Sequence, residues 1–414
     1  MSSPSKENLP DFETVYVDLL SWCRSHDFAG YDPFDGLNSR LLQHIQLGRS
    51  RSLRLLWTQL VKRSPLNPRR LLAIPAQRNA KGIALFALAA LATHRRVGTS
   101  ETERQARQLL QSLLDMRIEG YSGAAWGYNF DWQSRHFLAP AGSPTIVPTA
   151  FAARALIEAA EALKDKTYLQ AARSVCDFIT KDLPTHTDAD GGICFSYSPT
   201  SATQVFNASL LAAETLARVG NITGERDLCD LADQAATYVV RRQKSDGSWT
   251  YGAHPSQSWT DNFHTAFVLY SLKNIVEACG TNSATEEALE RGYEFWRQRF
   301  FVADGWPKYY DDSLYPADVH AAATAIITLL EFREIDSDAL VLAETVARWT
   351  IKNLRSSDGF FYYQRTRFWT IKTPFMRWTQ AWMLYALARL IEVKQKPEVF
   401  TDLHHEKEIH AYRS

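Results

Sequence analysis

The sequence predicts an all-α protein, an (α/α)6-type toroid in which six or so helical hairpins form two concentric layers. One observation is an Asp-Gly pair that recurs at Asp190, Asp246, Asp304 and Asp358, at separations of 56, 58 and 54 residues. A second is that an amphipathic helical pattern precedes each pair, and an aromatic run and a small-residue apolar helix follow it. Such a period indicates repeated supersecondary units, with the apolar helices inside and the amphipathic helices outside.

The stretch from Gln243 to Thr265 shows one unit most clearly. The residues before it place apolar side chains at spacings of three and four, which indicates an amphipathic helix. Gly247 is predicted to end that helix, because glycine accepts the left-handed conformation. Ser258 and Asp261 approximate a capping box for the next helix. That helix, NFHTAFVLYSLKNIV, is apolar on nearly every side and is therefore predicted to be buried.

The N-terminal part of the chain is less regular. We expect a first helix over residues 11–25, followed by a turn that contains Asp32 and Asp35. A basic helix is predicted roughly from residue 39 to 63, and two further helices near 81–93 and 101–116.

A long aromatic loop then begins at Tyr121 and has no helical period. Long loops inside compact domains are usually functional. The repeat is clearest over residues 145–394, in units of about 55–60 residues, and we interpret 1–414 as a single toroid domain.

Composition excludes several classes of protein. The 414 residues contain 46 Lys+Arg and 46 Asp+Glu, so no overall field favours nucleic acid or an acidic membrane surface. Five scattered cysteines without a C-x-x-C pair indicate a reducing compartment and argue against a disulfide framework or a thiolate zinc site. The polar N-terminus lacks a signal core, so we expect a cytoplasmic protein. The most apolar stretch, Gly82 to Ala92, is too short for a membrane span.

Two resemblances follow from particular stretches. The run from Tyr238 to Trp249 is similar to the Q-x-x-x-G-x-W repeat of terpenoid cyclases. The same toroid houses protein prenyltransferases, polysaccharide lyases, sugar epimerases and glycoside hydrolases. Residues 31–37, 126–133 and 258–267 also resemble a less-characterised bacterial group that is associated with exopolysaccharide biosynthesis. The resemblance implies a toroid over nearly the full length, but a fold does not fix chemistry.

A ring of unlike polar residues is predicted at one mouth of the toroid. Aligning the inner helices by their small-residue cores places these residues at one equivalent position: Lys81, Thr149, Asn207, His264, His320 and Gln380. Convergent, chemically distinct groups are what a substrate cavity needs. The alternative is that they cap helix ends and bond to loop backbone.

Four residues are candidates for catalysis. Asp261 and His264 are three apart on one helix, so the carboxylate can orient the imidazole as a general acid or base; the alternative for Asp261 is a helix cap. His320 opens the next inner helix, and Asp318 is only two residues before it, which is not a facing pair. Asp131 is the fourth candidate.

The substrate-binding candidates are mostly aromatic or polar residues of the loops. Trp126, Tyr128 and Trp132 surround Asp131 in the long loop and offer faces on which sugar rings can stack. Arg377 and Gln380, three apart, could bind a carboxylate or a sugar hydroxyl, or Arg377 could neutralise an inner-helix carboxylate. The set is completed by Lys81, Asn207, Tyr309, Tyr310 and Asp318.

The leading hypothesis is a carbohydrate-active enzyme that acts on a polysaccharide or its precursor, with polysaccharide assembly machinery as a candidate partner. A lyase would use Asn207 and Arg377 on a uronate; an epimerase would use His264 and His320 as a proton-transfer pair. A hydrolase would need two carboxylates among Asp131, Asp261 and Asp318. We predict no metal and no cofactor, because no spacing demands one.

Two rival functions remain at this stage. One is a non-catalytic glycan-binding or scaffolding toroid, which would keep the aromatic loops without needing the two histidines. The other is a terpenoid-modifying toroid, which would require an apolar cavity and conflicts with the polar ring. The D-x-D-D acid of class II terpene cyclases and the Asp/Cys/His zinc set of prenyltransferases are both missing from the sequence.

Overall fold

The computed structural model of the chain describes residues 9–41, 50–135, 137–280 and 283–395. The helices within these residues are α1 Phe12–Ser25, α2 Arg51–Arg63, α3 Ala80–Val97, α4 Ser100–Leu114, α5 Ile146–Ala162, α6 Lys166–Asp182, α7 Phe206–Thr223, α8 Arg226–Val240, α9 Asn262–Cys279, α10 Ser283–Arg299, α11 Val319–Glu331, α12 Ala339–Leu354 and α13 Trp382–Gln395. A 3-10 turn spans Asp35–Asn38, and a π-helical turn, Met376–Ala381, leads directly into α13.

The short strands form three small antiparallel sheets. They are β1 Trp132–Gln133 with β2 Leu138–Ala139, β3 Thr185–Thr187 with β4 Ile193–Phe195, and the three-stranded sheet of β5 Ala317–Asp318, β6 Gln364–Arg365 and β7 Thr370–Ile371. In the first pair Trp132 lies opposite Ala139, and in the last sheet Ala317 lies opposite Arg365. The strands are confined to loops between helices.

Six helices form a closed inner ring. Helices α3, α5, α7, α9, α11 and α13 each contact the next, and α13 contacts α3. Their residues are small and apolar on most sides; in α3 every residue from Ile83 to Ala89 is fully or almost fully buried. Alanine-rich surfaces allow close helix approach, and polar side chains would be costly to bury on so many faces. The prediction of apolar inner helices is confirmed.

The outer layer is made of amphipathic helices. Helices α4, α6, α8, α10 and α12 each contact the inner helix that precedes them, and α1 contacts α13. Each buries only one stripe; α4, for example, buries Ala106, Leu110 and Leu113 at spacings of four and three. Burial of one such leucine contributes about 2 kcal/mol. Two concentric layers of alternating helices make the fold an α/α toroid, as predicted.

The Asp-Gly pairs form tight turns rather than helix ends. Gly247 has a left-handed φ of 88°, but α8 already ends at Val240, so the prediction that this glycine ends the helix is wrong. A Cβ at Gly247 would lie 2.5 Å from the carbonyl oxygen of Arg291. The position therefore needs glycine both for its backbone angle and for the close approach of α10.

Two side chains of the same repeat join neighbouring outer helices. Gln243 Nε2 donates to the carbonyl oxygens of Gly247, at 2.9 Å, and of Ala288 in α10, at 2.7 Å. Trp249 is buried, and its Nε1 donates to the Val239 carbonyl at 3.0 Å. The repeat that resembles terpenoid cyclases thus links α8 to α10, and it lies in the wall of the toroid.

The N-terminal region differs in part from the prediction. Asp11 caps α1 by accepting from the Thr14 amide at 2.7 Å, so the first helix is confirmed. The basic helix begins at Arg51 in the structure, and residues 42–49 of the predicted helix lie outside the described residues. Helix α2 belongs to neither ring. It packs on the 3-10 turn, where Trp57 Nε1 donates to the Gly36 carbonyl at 2.9 Å.

All six inner helices begin at the same end of the ring, which we call the mouth. Helix α2, the loop containing β1 and β2, and the β5–β7 sheet lie at this end. Among the described residues, no helix is both long enough and apolar enough to cross a membrane.

Candidate active site

Three inner helices begin at a polar side chain that caps them. Asn79 accepts from the Lys81 amide, Asp261 from the His264 amide at 3.0 Å, and Asp318 from the His320 amide at 2.8 Å. Each oxygen satisfies an amide that has no partner within its helix. The predicted capping box at Ser258 is wrong, because Asp261 itself is the N-cap of α9.

The caps define the register of the ring at the mouth. The second residue after each N-cap is, in chain order, Lys81, Val147, Asn207, Phe263, His320 and Arg377. All six are buried. Lys81, Asn207 and His320 of the predicted ring share this level, whereas the predicted Thr149, His264 and Gln380 lie one to three residues further along their helices. In the last inner helix this level falls within the π turn.

His264 and Asp261 form a hydrogen-bonded pair at the mouth. Asp261 accepts from the His264 amide through one carboxylate oxygen and lies 2.6 Å from His264 Nδ1 through the other. That second oxygen also accepts from Trp259 Nε1 at 2.9 Å. The Asp261 carboxylate therefore caps α9 and also orients the His264 ring, so it has both of the roles that the sequence analysis considered. The His264 side chain stays 21% exposed, and the imidazole packs against Tyr251 at 4.5 Å.

His320 has a very different environment. Its ring is buried among aromatic rings, with centroid distances of 4.3 Å to Trp378, 4.6 Å to Phe263 and 4.8 Å to Trp382. Neither ring nitrogen has a hydrogen-bond partner. Burial, followed by the positive charges of Lys81 and Arg377, holds the pKa of His320 well below its usual value. The imidazole is therefore neutral at physiological pH.

Lys81 lies beside this histidine in the same aromatic surroundings. Its Nζ is 4.4 Å from the ring centroid of Phe151, 5.1 Å from Trp382 and 5.3 Å from Phe267. Burial, and then the charge of Arg377, lowers the pKa of Lys81 well below its ordinary value. Trp382 and Phe267 contact both Lys81 and His320, so the two groups share one compartment.

Asp318 is buried next to His320 but does not orient its ring. Its carboxylate accepts from the His320 amide, from Trp378 Nε1 at 3.2 Å and from Gln364 Nε2 at 3.1 Å. Burial raises the pKa of Asp318 to about 6, against the opposing charge of Lys62. Lys62, whose pKa burial lowers to about 8, reaches over the mouth from α2 and lies 5.7 Å from the Trp378 ring centroid.

Arg377 is occupied by a buried ion pair that closes the ring. Its Nε and an Nη atom bind both carboxylate oxygens of Asp32, at 2.6 and 2.8 Å. Asp35 in the same turn binds Arg69 at 2.8 Å. The predicted use of Arg377 on a substrate carboxylate is therefore wrong for this structure. It neutralises a carboxylate, as the alternative had it, but that carboxylate belongs to the N-terminal turn.

An aromatic wall lines the side of the mouth formed by the long loop. Trp132 packs against Tyr128 at 5.7 Å and Tyr197 at 5.2 Å, and the hydroxyls of Tyr128 and Tyr197 are 3.3 Å apart. Burial raises the pKa of Tyr128, so it is a hydroxyl donor or acceptor at neutral pH. Trp132 is partly exposed and is the loop aromatic best placed to meet a ligand.

The loop before β5 completes the rim near Asp261. Tyr309 packs against Phe263 at 5.6 Å, and its carbonyl accepts from the Asn262 amide at 2.9 Å. Tyr310 is partly exposed and pairs with the backbone of Asp261. Both tyrosines therefore lie at the mouth, where the sequence predicts them.

A small cavity of about 10 Å³ lies beside the His264–Asp261 pair. Asn207, Tyr251 and Val268 also line it. The side-chain oxygen of Asn207 is buried and has no partner. A volume of this size holds about one water molecule.

Three predicted site residues instead hold the loops in place. Trp126 is fully buried, and its Nε1 donates to the Leu113 carbonyl at 2.7 Å. Gln380 is fully buried and bonds to both the amide and the carbonyl of Phe361. Both side chains therefore bond to the backbone of other segments, which for Gln380 is the alternative that the sequence analysis considered. Asp131 accepts from the Ala141 amide at 2.8 Å and thereby fixes the long loop.

Several mouth residues escaped the sequence prediction. Phe263 contacts both histidines, Tyr251 and Trp259 stack with centroids 4.5 Å apart, and Trp378 touches His320 and Asp318. Phe263 could have been found from the helix cap. It is the second residue after the N-cap Asp261, just as His320 is the second residue after Asp318.

Comparison with known proteins supports the fold. No protein-family model and no curated protein matches the chain. Three similar solved structures are a cellobiose 2-epimerase from Bacillus thermoamylovorans, an unsaturated glucuronyl hydrolase specific for heparin, and a GH76 α-mannanase from Bacteroides thetaiotaomicron.

The similarity is structural and extensive. The epimerase has a TM-score of 0.60 at 11% identity, over 78% of this chain and 90% of its own. The hydrolase has 0.59 at 14%, over 92% and 96%, and the mannanase 0.58 at 14%, over 76% and 86%. This chain has the α/α-toroid fold of these proteins. At such identities the likeness does not extend to their activities.

Proposed function

We propose that the protein is a carbohydrate-active enzyme that moves a proton at a sugar carbon, as an epimerase or an isomerase does. The observation that carries the proposal is the pair of imidazoles at the starts of neighbouring inner helices. His264 and His320 both contact Phe263, with centroids at 3.9 and 4.6 Å. One is oriented by a carboxylate and partly exposed; the other is neutral, buried and without a partner.

The two histidines suit complementary roles. The Asp261 carboxylate lies 2.6 Å from His264 Nδ1 and orients the ring, so Nε2 is the nitrogen that can take up a proton and return it. A neutral His320 has one ring nitrogen that accepts a proton and one that donates. In an open-chain sugar, one histidine would remove the proton from the carbon next to the carbonyl. In the balanced form His320, which is neutral, removes the proton and becomes imidazolium, while His264 returns the proton carried on its Nε2 to the opposite face or to the neighbouring carbon; proton exchange with water then restores both rings, so no other reactant is consumed.

The surrounding groups fit a saccharide. Tyr251, Trp259 and Trp132 offer aromatic faces at the mouth, and Asn207 offers an unpaired polar group beside His264. The solved structures of similar fold include a cellobiose 2-epimerase, a sugar epimerase and a D-mannose isomerase. An oligosaccharide substrate would also agree with the sequence resemblance to an exopolysaccharide-associated group.

The other reactions fit the same residues less well. A lyase would need Arg377 for the uronate, but Asp32 occupies it. A scaffold would have no use for a buried histidine whose nitrogens lack partners, because that arrangement is destabilising. A hydrolase is the second candidate, because Asp318, with a pKa of about 6, could act as a general acid. It would require a second free carboxylate, and Asp261 is bound to Trp259 and His264.

Deuterium exchange provides a direct test. The protein is incubated in D2O with reducing mono- and disaccharides, and carbon-bound deuterium is followed by NMR together with the appearance of a new sugar. We expect exchange that falls by roughly 100-fold or more in both His264→Asn and His320→Gln. His186→Asn, on the exposed strand β3, is the matched control and should behave like the native protein.

The products distinguish the candidates. New reducing ends without deuterium at carbon would indicate hydrolysis, and a product absorbing as an unsaturated uronate would indicate elimination. Either product would overturn the proton-transfer proposal if the remaining sugars carry no deuterium at carbon. Retention of full exchange in both histidine variants would overturn the assignment of the two residues.

A further inference from the structure

Helix α2 presents an apolar stripe to solvent. Leu53, Leu56 and Leu60, at spacings of three and four, are 45%, 57% and 59% exposed. The opposite face of the helix is buried, with Thr58 and Val61 packed against the 3-10 turn. The outward leucines are therefore not part of the core. Exposed apolar stripes on a helix indicate a surface that contacts something else.

The same region is strongly basic, although the chain as a whole is neutral. From Gly36 to Ser100 the sequence contains no aspartate and no glutamate, and its cations are Arg40, Arg49, Arg51, Arg54, Lys62, Arg63, Arg69, Arg70, Arg78, Lys81, Arg95 and Arg96. Arg51, Arg63 and Arg70 are exposed. Within the described part of the chain, none of these three makes an ion pair. Other arginines of the stretch are neutralised by ion pairs with acids outside it, as Arg78 is by Asp27 and Arg96 by Glu13, so the exposed arginines are what make this surface positive.

A second element with the same character lies at the mouth. The turn between β6 and β7 exposes Phe368 (79%) and Trp369 (49%), flanked by the exposed Arg367 and Lys372. From Gly359 to Ile391 the sequence again contains no acidic residue. Strand β6 pairs with β5 at the start of α11, so this hairpin also lies at the mouth.

The C-terminal end of α2 lies near the start of the β6–β7 hairpin. Lys62, in the last turn of α2, has its Nζ 6.0 Å from the ring centroid of Tyr363, which immediately precedes β6. We call the combined surface the basic apolar rim; it consists of Leu53, Leu56, Leu60, Phe368 and Trp369 with Arg51, Arg63, Arg367 and Lys372. The remainder of the mouth differs, because Asp311 and Asp312 lie on the loop before β5.

We propose that the basic apolar rim docks the protein on an anionic membrane surface. Interfacial helices combine an apolar face with arginine and lysine, and they lie in the headgroup region without spanning the bilayer. Tryptophan favours the same depth. Each arginine or lysine near an anionic surface strengthens binding, and the rim offers four with no acidic neighbour in sequence. An acidic protein would match the charge, but it would not by itself account for two separate sets of protruding apolar side chains.

Vesicle co-sedimentation of the full chain tests the proposal. Vesicles of phosphatidylcholine mixed equally with phosphatidylglycerol are compared with vesicles of phosphatidylcholine alone, at low and at high salt. We expect binding to the anionic vesicles at least tenfold stronger than to the neutral ones, and a decrease with salt, because surface charges are screened. Equal binding to both vesicles, or to neither, would overturn the proposal.

Two sets of variants separate the apolar and the charged contributions. Replacing Leu53, Leu56 and Leu60 by serine should lower binding by at least tenfold, because the inserted apolar area is lost. Replacing Arg51 and Arg63 by serine should lower it by about fivefold for each residue. The matched control replaces Ile335, which lies before α12, and Val341, which lies in α12, by serine. Each of these residues is 65% exposed, and this variant should bind like the native protein. Equal loss in the control and the leucine variant would contradict the proposed surface.

Other occupants of the surface would give different results. Self-association that disappears in the leucine variant, measured by sedimentation velocity, would assign the stripe to a second copy of the chain. Binding to polyglutamate as tight as to anionic vesicles would assign it to an acidic polypeptide. Neither outcome depends on catalysis, so the membrane proposal fails or stands independently of the proposed enzymatic activity.

Discussion

Replacing His320 with leucine should make the protein more stable and, at the same time, inactive. The native imidazole is buried with two ring nitrogens that lack partners, and an unsatisfied buried polar group costs about 1–3 kcal/mol. Leucine is similar in size and is compatible with the surrounding rings of Phe263, Trp378 and Trp382. We therefore expect the free energy of unfolding to rise by about 1–3 kcal/mol near pH 8. For a chain of this length, that corresponds to a melting temperature higher by about 2 °C.

The advantage of the leucine variant should grow as the pH falls. The pKa of His320 is lowered by folding, so below its unfolded value of 6.5 the unfolded chain binds more protons than the folded one. Native stability is therefore lost as the pH drops below that value, by up to about 1.4 kcal/mol per pH unit. Asp318 has the opposite dependence, but it is present in both proteins and cancels in the difference.

Denaturant unfolding near pH 8 and near pH 5.5, combined with deuterium exchange into sugar, measures both effects. His186→Leu, at an exposed position, should change neither quantity appreciably. Two results would refute the reasoning. A loss of stability in His320→Leu would show that the imidazole has a partner in solution. Undiminished exchange in the stabilised variant would show that the protein does not use this histidine in chemistry.

Three further outcomes follow from the ion pairs and caps. Asp261→Asn should keep the melting temperature within a few degrees, because asparagine also caps helices, while sugar exchange falls by roughly tenfold or more; unchanged exchange would contradict the orienting role. Asp32→Ala should lower the free energy of unfolding by about 3–5 kcal/mol in urea, since it leaves Arg377 buried and unpaired. Adding Arg377→Met should recover much of that loss, and a single variant as stable as the native protein would argue against the pair. The contribution of Asp318 to native stability should fall by about 3 kcal/mol as the pH rises from about 4 to 6, because folding raises the pKa of this carboxyl from 3.8 to about 6 and the folded state holds the extra proton. The difference in unfolding free energy between the native protein and Asp318→Asn should change by that amount over this range, and a difference that does not depend on pH would assign the proton to another group.

The features predicted from sequence are those that depend on local spacing. The apolar character of α9 and α11, the amphipathic outer helices and the Asp-Gly turns recur in the chain, so a periodic reading finds them. The pairing of Asp261 with His264 is also local, since residues three apart share one side of a helix turn. The layered fold and the Asp261–His264 pair can therefore both be predicted from the sequence.

The features that were missed depend on closure of the ring or on backbone irregularity. Asp32 and Arg377 are 345 residues apart, and no local pattern relates a turn near the N-terminus to the last inner helix. The π turn at Met376–Ala381 changes which side chains face the mouth, and a fixed helical period cannot anticipate it. His320 was found by position, whereas its lack of partners could be recognised only from its neighbours in space.

The pairing of α1 with α13 also has a consequence for biosynthesis. Helix α1 leaves the ribosome first, but the inner helix that covers Val15, Leu19 and Cys23 is made last. The other five hairpins each bring together helices that are adjacent in the chain, so they can form as they emerge. The apolar stripe of α1 therefore stays uncovered until α13 has been synthesised. The inner ring can likewise close only after α13 has been synthesised.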